Sequence, residues 1–428
     1  LRQSVYGDDV EANKKARVKI VFFNRYFHPD PSATSQMLSD LVFALAAEGI
    51  EVHVVTGRLP TPADKPDIVN GVRVHAIAGA ISPSANLVSR AASYLRYYMG
   101  ARRAARDWLD RGDVAVAKTD PPMLATFIET AVRARGAKLV AWMQDVFPEV
   151  AAEYGIPGMR GWIGEALARM RDRTLARADA IVAIGDRMAR TLRERLGTGI
   201  SVNVIHNWAD GRAIEPLDAA DNPLRREWGL EGKFVVGYSG NLGRVHEFGT
   251  LLEAAERLRG HADVFFVIVG RGPQLAAVKA MAERRGLDNI RFEPLQARER
   301  LRMSLSLPDV HVCILRRGFE GLVHPSKLYG IMAAGRPTLV VGDPDGEAAR
   351  IVASSVSGFS VREGDAQGLA SAILRLRNSP QLRNELGANA RAIFMHDYDM
   401  RHAIAAWRTL LSYVGFSTLK SEHDQRSG

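Results

Sequence analysis

Lys327 sits at the end of a helix where electrostatics disfavours a cation. The segment RRGFEGLVHPSKLYGIMAAGRPTLVVGDPDGEAARIV (316–352) reads as strand, polar loop, helix, glycine stop at Gly335, strand, loop and helix. Pro325 and Ser326 suit the helix start, because proline lacks an N–H that would go unpaired there and serine can cap. Lys327 follows them in the first turn, against the helix dipole. An anion held between the lysine and the helix would reconcile the two, so the implied chemistry is anion binding.

Two other loops have the same character. In YSGNLGRVHEFGTLLEAA (238–255), Gly240 and Gly243 flank Asn241 and Leu242. Glycines there let the backbone turn tightly and approach a ligand. The amides of the helix that follows point back at the same place. Arg244 and His246 add side-chain donors, so a diphosphate would fit; a purely structural turn is the competing reading. In VGRGPQ (269–274), Gly270 and Gly272 thin the backbone at a strand's carboxyl end, where open α/β sheets bind ligands. Arg271 there could meet phosphate, stack on a base, or simply be solvated. Glu320 and Glu347 lie on loops at strand ends. Carboxylates there could accept from ribose or sugar hydroxyls, or stand in water.

These residues need elements to position them. VKIVFF (18–23) is a continuous apolar run of buried-strand length, followed by the loop NRYFHPDPSATS. A helix follows with Met37, Leu38, Leu41, Val42 and Leu45 on one face, then the strand VHVVTG (52–57). That is a βαβ unit. Strands at 114–118, 138–144, 180–184 and 202–207, with helices between them, complete a first wheel. A second runs through strands at 234–240, 265–270, 290–294, 309–315 and 338–342, and then a terminal helical stretch. The expected fold class is α/β, with two Rossmann-like domains facing across a cleft. The domains are placed at 17–210 and 229–394, joined by a linker at 211–228. A helix within 395–415, carrying Ala403, Ile404, Trp407 and Leu410, is expected to cross back to the first domain. Residues 1–16 read as a loose leader and 416–428 as a disordered tail.

Composition narrows the function classes. Cys313 is the sole cysteine, which excludes an internal disulfide and any multi-cysteine metal site. No run approaches the roughly 18 apolar residues that span a bilayer. The net charge of +9 admits an anionic ligand, an anionic membrane surface, or solubility alone. No nucleic-acid-binding motif accompanies it. The opening loop lacks G-x-G-x-x-G, which argues against a nicotinamide-dependent oxidoreductase.

Taken together, the motifs resemble glycosyltransferase family 4, retaining enzymes of the GT-B fold, over residues 18–410. The carriers are HPDPSATSQMLSDLVFALAAEGIEVHVVTG, QDVFPE (144–149), IHNWAD (205–210), SGNLG, VGRGP and EGLVHPSKLYGIMAAGRPTLVVGDPDGE. The PSKLYGIMAAGRP helix is similar to that of bacterial surface-polysaccharide glycosyltransferases. The resemblance implies that the second domain binds the donor. Arg244, Lys327 and the backbone of Ser326 would hold its diphosphate, with Glu347 at the ribose and Gly270 and Arg271 at the base. Gly240, Asn241, Leu242, His246, Leu328 and Tyr329 would complete the donor site. The first domain would bind the acceptor, with Ser32, Ala33, Thr34 and Ser35 facing the donor and Asp145 against the transferred sugar. Many members have two glutamates eight positions apart; Leu322 and Gly330 stand there instead, with Glu320 offset by two.

The implied activity is transfer of a hexosyl or N-acetylhexosaminyl group from a nucleoside-diphosphate sugar, uridine being the commonest base, to a glycan or lipid-linked acceptor. No cofactor or metal is expected, since no DxD-like pair stands at a strand end and the fold typically works without one. The rivals are a GT-B nucleotide-sugar epimerase and a silent nucleotide-sugar-binding partner subunit. Residues 87–106 combine Leu87, Val88, Tyr94, Leu95, Tyr97 and Tyr98 with Arg90, Arg96, Arg102, Arg103 and Arg106. They read either as a core helix with a wet basic face or as a helix lying on an anionic membrane. The expected location is the cytoplasm, with peripheral contact at the membrane's cytoplasmic face.

Overall fold

The computed structural model describes residues 18–30, 32–57, 68–77 and 87–416. The expected leader, the expected tail beyond residue 416, and the side chains of Leu87, Val88 and Arg90 lie outside the described residues. The chain divides into two compact units. One holds residues up to 142 with 177–180 and 408 onward; the other holds 143–176 with 181–407. Among the described residues, no helix is long and apolar enough to cross a membrane.

In the first unit, strands β1 (Ile20–Phe23), β2 (Val52–Gly57), β3 (Ile68–Val69), β4 (Val72–Ile77), β5 (Val114–Lys118) and β6 (Lys138–Met143) run in the order β3-β4-β2-β1-β5-β6. All pair in parallel except β3 with β4. Ile20 aligns with Val52 on one side and Val114 on the other. All four β1 side chains are buried, which is why this strand reads as an unbroken apolar run rather than an alternation. The helix Ala33–Ala47 buries Met37, Leu38, Leu41, Val42 and Leu45, the face its spacing predicts. Helices Leu87–Trp108 and Leu124–Ala134 pack Tyr97, Ala101, Ile128 and Val132 with Val21, Phe23, Val55 and Leu139.

The β3–β4 hairpin is absent from the sequence reading. Its signal is Asn70-Gly71, both at positive φ (46° and 80°), the pair a tight two-residue hairpin turn favours. The C-terminal helix Met400–Val414 counts with the first unit from residue 408, where Arg408 pairs with Glu48 at 3.2 Å.

The second unit carries a six-stranded sheet of β9 (Phe234–Asn241), β10 (Val264–Arg271), β11 (Ile290–Glu293), β12 (Val310–Ile314), β13 (Thr338–Gly342) and β14 (Gly358–Arg362). Their order is β11-β10-β9-β12-β13-β14, all parallel. Strand β7 (Ala180–Ala183) pairs in parallel with β8 (Val202–Val204). Tyr238, Leu242, Phe248, Leu252, Phe266, Ile268, Val312 and Leu369 share one core. Strand β14 corrects the reading of a helical stretch after β13. It is a half-exposed edge strand, so GFSVR lacks the apolar run of its neighbours, and Gly358 leaves room for the Thr338 backbone that any Cβ would fill. Residues 211–228, read as linker, are packed in place. They form the helix Pro223–Glu227, capped through Asn222 Oδ1 from Leu224 N at 3.1 Å, and bury Leu224 and Trp228.

Candidate active site

Strand β9 holds Gly240 one residue before its end, at a φ of +136° that L side chains rarely adopt. A Cβ there would come 3.4 Å from Cε of Lys327, so bare backbone faces the lysine stem. Lys327 Nζ donates to the hydroxyl of Tyr238 at 2.5 Å and lies 3.7 Å from the centre of that ring. The Tyr238 hydroxyl spends its own proton on Asn241 O at 2.8 Å. His246 Nε2 is 3.5 Å from Nζ, while its Nδ1 faces Gly243 O at 3.2 Å. The tautomer that satisfies both has the proton on Nδ1. Burial first, then the charge of Lys327, pushes His246 down to about 2. His246 is therefore neutral and accepts from the lysine rather than donating to a ligand. Burial pushes Lys327 itself down to about 7. Its partners are a phenol, a ring face and an imidazole, none of which neutralises it.

The glycine loops after β9 and β10 touch. Leu242 N donates to Arg271 O at 2.7 Å, and Gly270 and Gly272 sit against the backbone of residues 240–242 with no room for a Cβ. Asn241, Arg244 and Arg271 are exposed at this edge, and Ser326 is half-buried with no capping bond from its side chain. The side chains of Leu242, Leu328 and Tyr329 point into the hydrophobic core, so what they offer a donor is backbone. An apolar side chain on a helix that covers a sheet is drawn inward even next to a site.

Both candidate acids cap helices. Glu320 Oε2 accepts from Glu347 N at 3.1 Å, at the start of helix Glu347–Ser354. The Glu347 carboxylate in turn accepts from Asp186 N at 2.9 Å and Arg187 N at 2.6 Å. These amides open helix Asp186–Leu196, whose own N-cap, Gly185, has no side chain to offer. Burial pushes Glu320 up, with the Glu347 amide acting the other way. Each carboxylate oxygen keeps a second lone pair, so the caps leave some capacity for a ligand. An open pocket of about 600 Å³ lies beside Glu347, lined by Asp186, Arg190, Arg350 and Tyr398 among others. Asp186, His206 and Glu347 also bring ligand atoms within 4.8 Å of one another, an arrangement among the described residues that could hold a metal ion.

Asp145 lies on a loop held from two sides. Val146 N donates to Leu322 O at 2.9 Å, which sets the loop against the turn after β12. Arg171, almost fully buried, donates to Phe147 O at 2.8 Å, to Glu149 at 2.5 and 2.9 Å, and to Asp172 at 2.7 Å. Tyr154 packs on Phe319 with ring centres 5.1 Å apart. Burial, then the Asp145 charge, raises its phenol, and Arg244 opposes. Asp145, Arg244 and the Glu320 turn thus share one neighbourhood. In the first unit, Ser32 caps helix Ala33–Ala47 by accepting from Ser35 N at 3.4 Å, and Thr34 O accepts from Lys118 at 2.9 Å.

The comparisons with known proteins bear on this arrangement. Residues 34–211 match the model for Glycosyltransferase Family 4, and residues 221–393 match that for Glycosyl transferases group 1. The chain belongs to glycosyltransferase family 4. It is 28% identical over 290 residues to the probable glycosyltransferase WbjE of Pseudomonas aeruginosa, covering 67% of this chain and 71% of that one. It is 27% identical over 349 residues to the putative colanic acid biosynthesis glycosyl transferase WcaI of Escherichia coli K12, covering 76% and 84%. Its fold is that of GT-B enzymes. HepE of Anabaena, solved with UDP, superposes with TM-score 0.69 at 18% identity, covering 92% of this chain and 100% of that one. Sucrose-phosphate synthase from Thermosynechococcus elongatus gives 0.76 at 17%, covering 94% and 100%.

Several groups in this glycosyltransferase escaped the sequence reading. Tyr238 lies mid-strand and reads as core, and only the fold brings its hydroxyl to Lys327. Arg171 reads as one of many helical arginines. His324 stacks on Tyr329 with ring centres 5.3 Å apart, and both its nitrogens are buried without a partner. Burial pushes it down to about 3. Arg25 pairs with Asp120 at 2.7 Å beside the C-terminal ends of β1 and β5, with its guanidinium against the rings of Tyr26 and Tyr94. Its place just after the first strand was the available signal.

Proposed function

We propose that this glycosyltransferase moves a hexosyl or N-acetylhexosaminyl group from a nucleoside-diphosphate sugar, uridine being the favoured base. The acceptor is a hydroxyl on a glycan or a lipid-linked precursor, and the anomeric configuration is retained. The setting is assembly of a bacterial surface polysaccharide or glycoconjugate, in the cytoplasm at the membrane face. The names of the relatives WbjE and WcaI and the UDP bound to HepE support this reading. A relative from Mycobacterium tuberculosis, 26% identical over 272 residues, is named a GDP-mannose-dependent alpha-mannosyltransferase, so the base is the first point to test.

One observation carries the proposal: Lys327 is a half-buried amine with no carboxylate among its contacts in the described residues, beside the bare backbone of Gly240. Such a cation is costly unless an anion arrives. As the bond from C1 to the diphosphate oxygen breaks, charge builds on the departing phosphate, and Lys327 and Arg244 stabilise it there. The acceptor oxygen bonds to C1 on the same face, and its proton passes to the departing phosphate. Asp145 stands against the transferred sugar. No metal is needed in this scheme, so kcat in EDTA should equal kcat in magnesium. A strict divalent requirement would shift the chemistry to Asp186, His206 and Glu347.

Thermal-shift titration with UDP, GDP and ADP, with NAD(P) as control, tests the donor site. Stabilisation should follow one nucleoside diphosphate and vanish in Lys327→Ala. A shift with NAD(P) alone would overturn the assignment. Leu322 and Gly330, where many family members have glutamates, favour one second reading, a subunit that binds donor without turning it over. Binding with no nucleotide release in the presence of acceptor would establish it.

A further inference from the structure

Strand β1 pairs with β2 on one side and β5 on the other, so the chain order of the first unit's sheet reverses between β1 and β5. Such a switch point leaves a crevice at the carboxyl ends of an open parallel sheet, where ligands bind. Asn24 and Arg25 follow β1 there, and Thr119 and Asp120 follow β5. The two ends are tied. Arg25 N donates to Asp120 O at 2.9 Å, and Arg25 Nη2 lies 2.7 Å from Asp120 Oδ1. The guanidinium carbon is 4.5 Å from the ring centre of Tyr26 and 4.7 Å from that of Tyr94, which fixes its position. Yet Arg25 is only 7% exposed, and its Nε and Nη1 find no partner among the described residues. Asn24 is wholly buried; its Nδ2 donates to Tyr26 O at 2.6 Å, and its Oδ1 is left unpaired likewise. Folded proteins rarely keep buried donors and acceptors idle. The turn into helix Leu124–Ala134 adds strain, since Met123 stands at a φ of +64°.

We propose that this crevice binds an uncharged sugar through its hydroxyls, and that Arg25 and Asp120 thereby select a neutral sugar as the acceptor's terminal unit. A hydroxyl accepts and donates at once, so it can take an Arg25 N–H and give its own proton to Asp120 or to Asn24 Oδ1. A phosphate dianion satisfies the arginine but has no proton for either oxygen. The charge balance points the same way. Asp120 senses Arg25 and Lys118 against Asp30, so two cations stand with two carboxylates. Lys118 is also engaged, donating to Thr34 O at 2.9 Å and lying 3.8 Å from the Trp142 ring centre. Asp120 is 25% exposed, and Tyr26 and Tyr94 are half-buried, so the crevice edge meets solvent. Asp30 in turn accepts from Ser32 N at 2.9 Å, which with the Lys118 bond fixes the Ser32–Ser35 turn beside the pair. That the bound sugar is the acceptor rests on the transfer reading above; the binding itself does not.

Saturation-transfer NMR on the full chain tests the proposal, with methyl glycosides of glucose, galactose, mannose and N-acetylglucosamine as probes against the corresponding hexose phosphates. At least one glycoside should bind wild type, in preference to every phosphate. Arg25→Lys keeps the charge and loses the planar fork, so it should weaken that glycoside by about tenfold while keeping the thermal shift with nucleotide. Asp120→Asn keeps the shape and should weaken it by about fivefold; it carries the test alone should Arg25→Lys not fold. Equal binding by wild type and variant, or no binding of any glycoside, would overturn the proposal and leave the pair a tie between two strand ends. Tighter binding of the phosphates would overturn it in favour of an anionic acceptor. Glycoside binding that is lost in Arg25→Lys, in a protein that no nucleotide stabilises, would leave the crevice standing and sink the donor reading alone.

Discussion

The amine of Lys327 and the hydroxyl of Tyr238 lie 2.5 Å apart, with the same amine 3.7 Å from the tyrosine ring centre. This contact holds the cation in place while leaving its charge uncompensated. Removing the hydroxyl in Tyr238→Phe leaves the ring face and deletes the hydrogen bond. A neutral hydrogen bond is worth about 0.5–1.5 kcal/mol and one to a charged group up to about 3. Steady-state kinetics should give a fall in kcat/KM of roughly tenfold for Y238F, against roughly a hundredfold or more for K327A.

Titration of Lys327 should make donor binding depend on pH. In the folded protein the amine is pushed from its usual 10.5 down to about 7 by burial. Donor affinity should therefore weaken as pH rises through about 7, and the bound diphosphate should move that midpoint upward. Stability should run the other way. The folded state holds this proton less tightly than the unfolded chain, so the stabilisation is complete above about 10.5 and is lost as pH falls through about 7. Denaturant midpoints measured at pH 6 and pH 9 should differ more for wild type than for K327M.

Glu347 accepts two amides at the start of helix Asp186–Leu196. Glu347→Ala should cost about 1–2 kcal/mol in urea unfolding, the scale of a lost cap. Glu347→Gln keeps one acceptor oxygen and should cost less. A rise in donor KM in the well-folded glutamine variant would add a ribose contact to the cap.

Arg171 makes charge-assisted bonds to Glu149 and Asp172 and a bond to the Phe147 carbonyl, almost wholly away from water. Arg171→Ala leaves Glu149 and Asp172 to Arg195 alone and should destabilise by about 1.5–3 kcal/mol, the scale of lost hydrogen bonds to charged groups. Arg171→Lys keeps the charge but loses the fork. It should fold, with kcat lowered more than donor KM, because what moves is the loop bearing Asp145.

Much of the fold was legible because its determinants are local. β1, β2 and β5 announce themselves as apolar runs, and the helix at Ala33–Ala47 shows its buried face at the expected spacing. Asn70-Gly71 carried its hairpin signal unread. Strand β14 was hidden because an edge strand need not be apolar on both faces, and the space around Gly358 is defined by a strand elsewhere in the sequence.

The amino-acid sequence by itself determined the α/β class, the glycine-thinned strand ends and the presence of a lysine set against a helix dipole. These follow from backbone sterics, side-chain periodicity and the local field, all of which act over a few residues. Tertiary structure alone decided what each polar group does. The Glu347 carboxylate meets amides 161 and 160 residues away, Lys327 meets a phenol 89 residues away, and Arg171 reaches back 24 residues to the Phe147 carbonyl. Such partners are chosen by how buried groups must find hydrogen bonds once the sheets and helices have packed, and no local pattern encodes that choice.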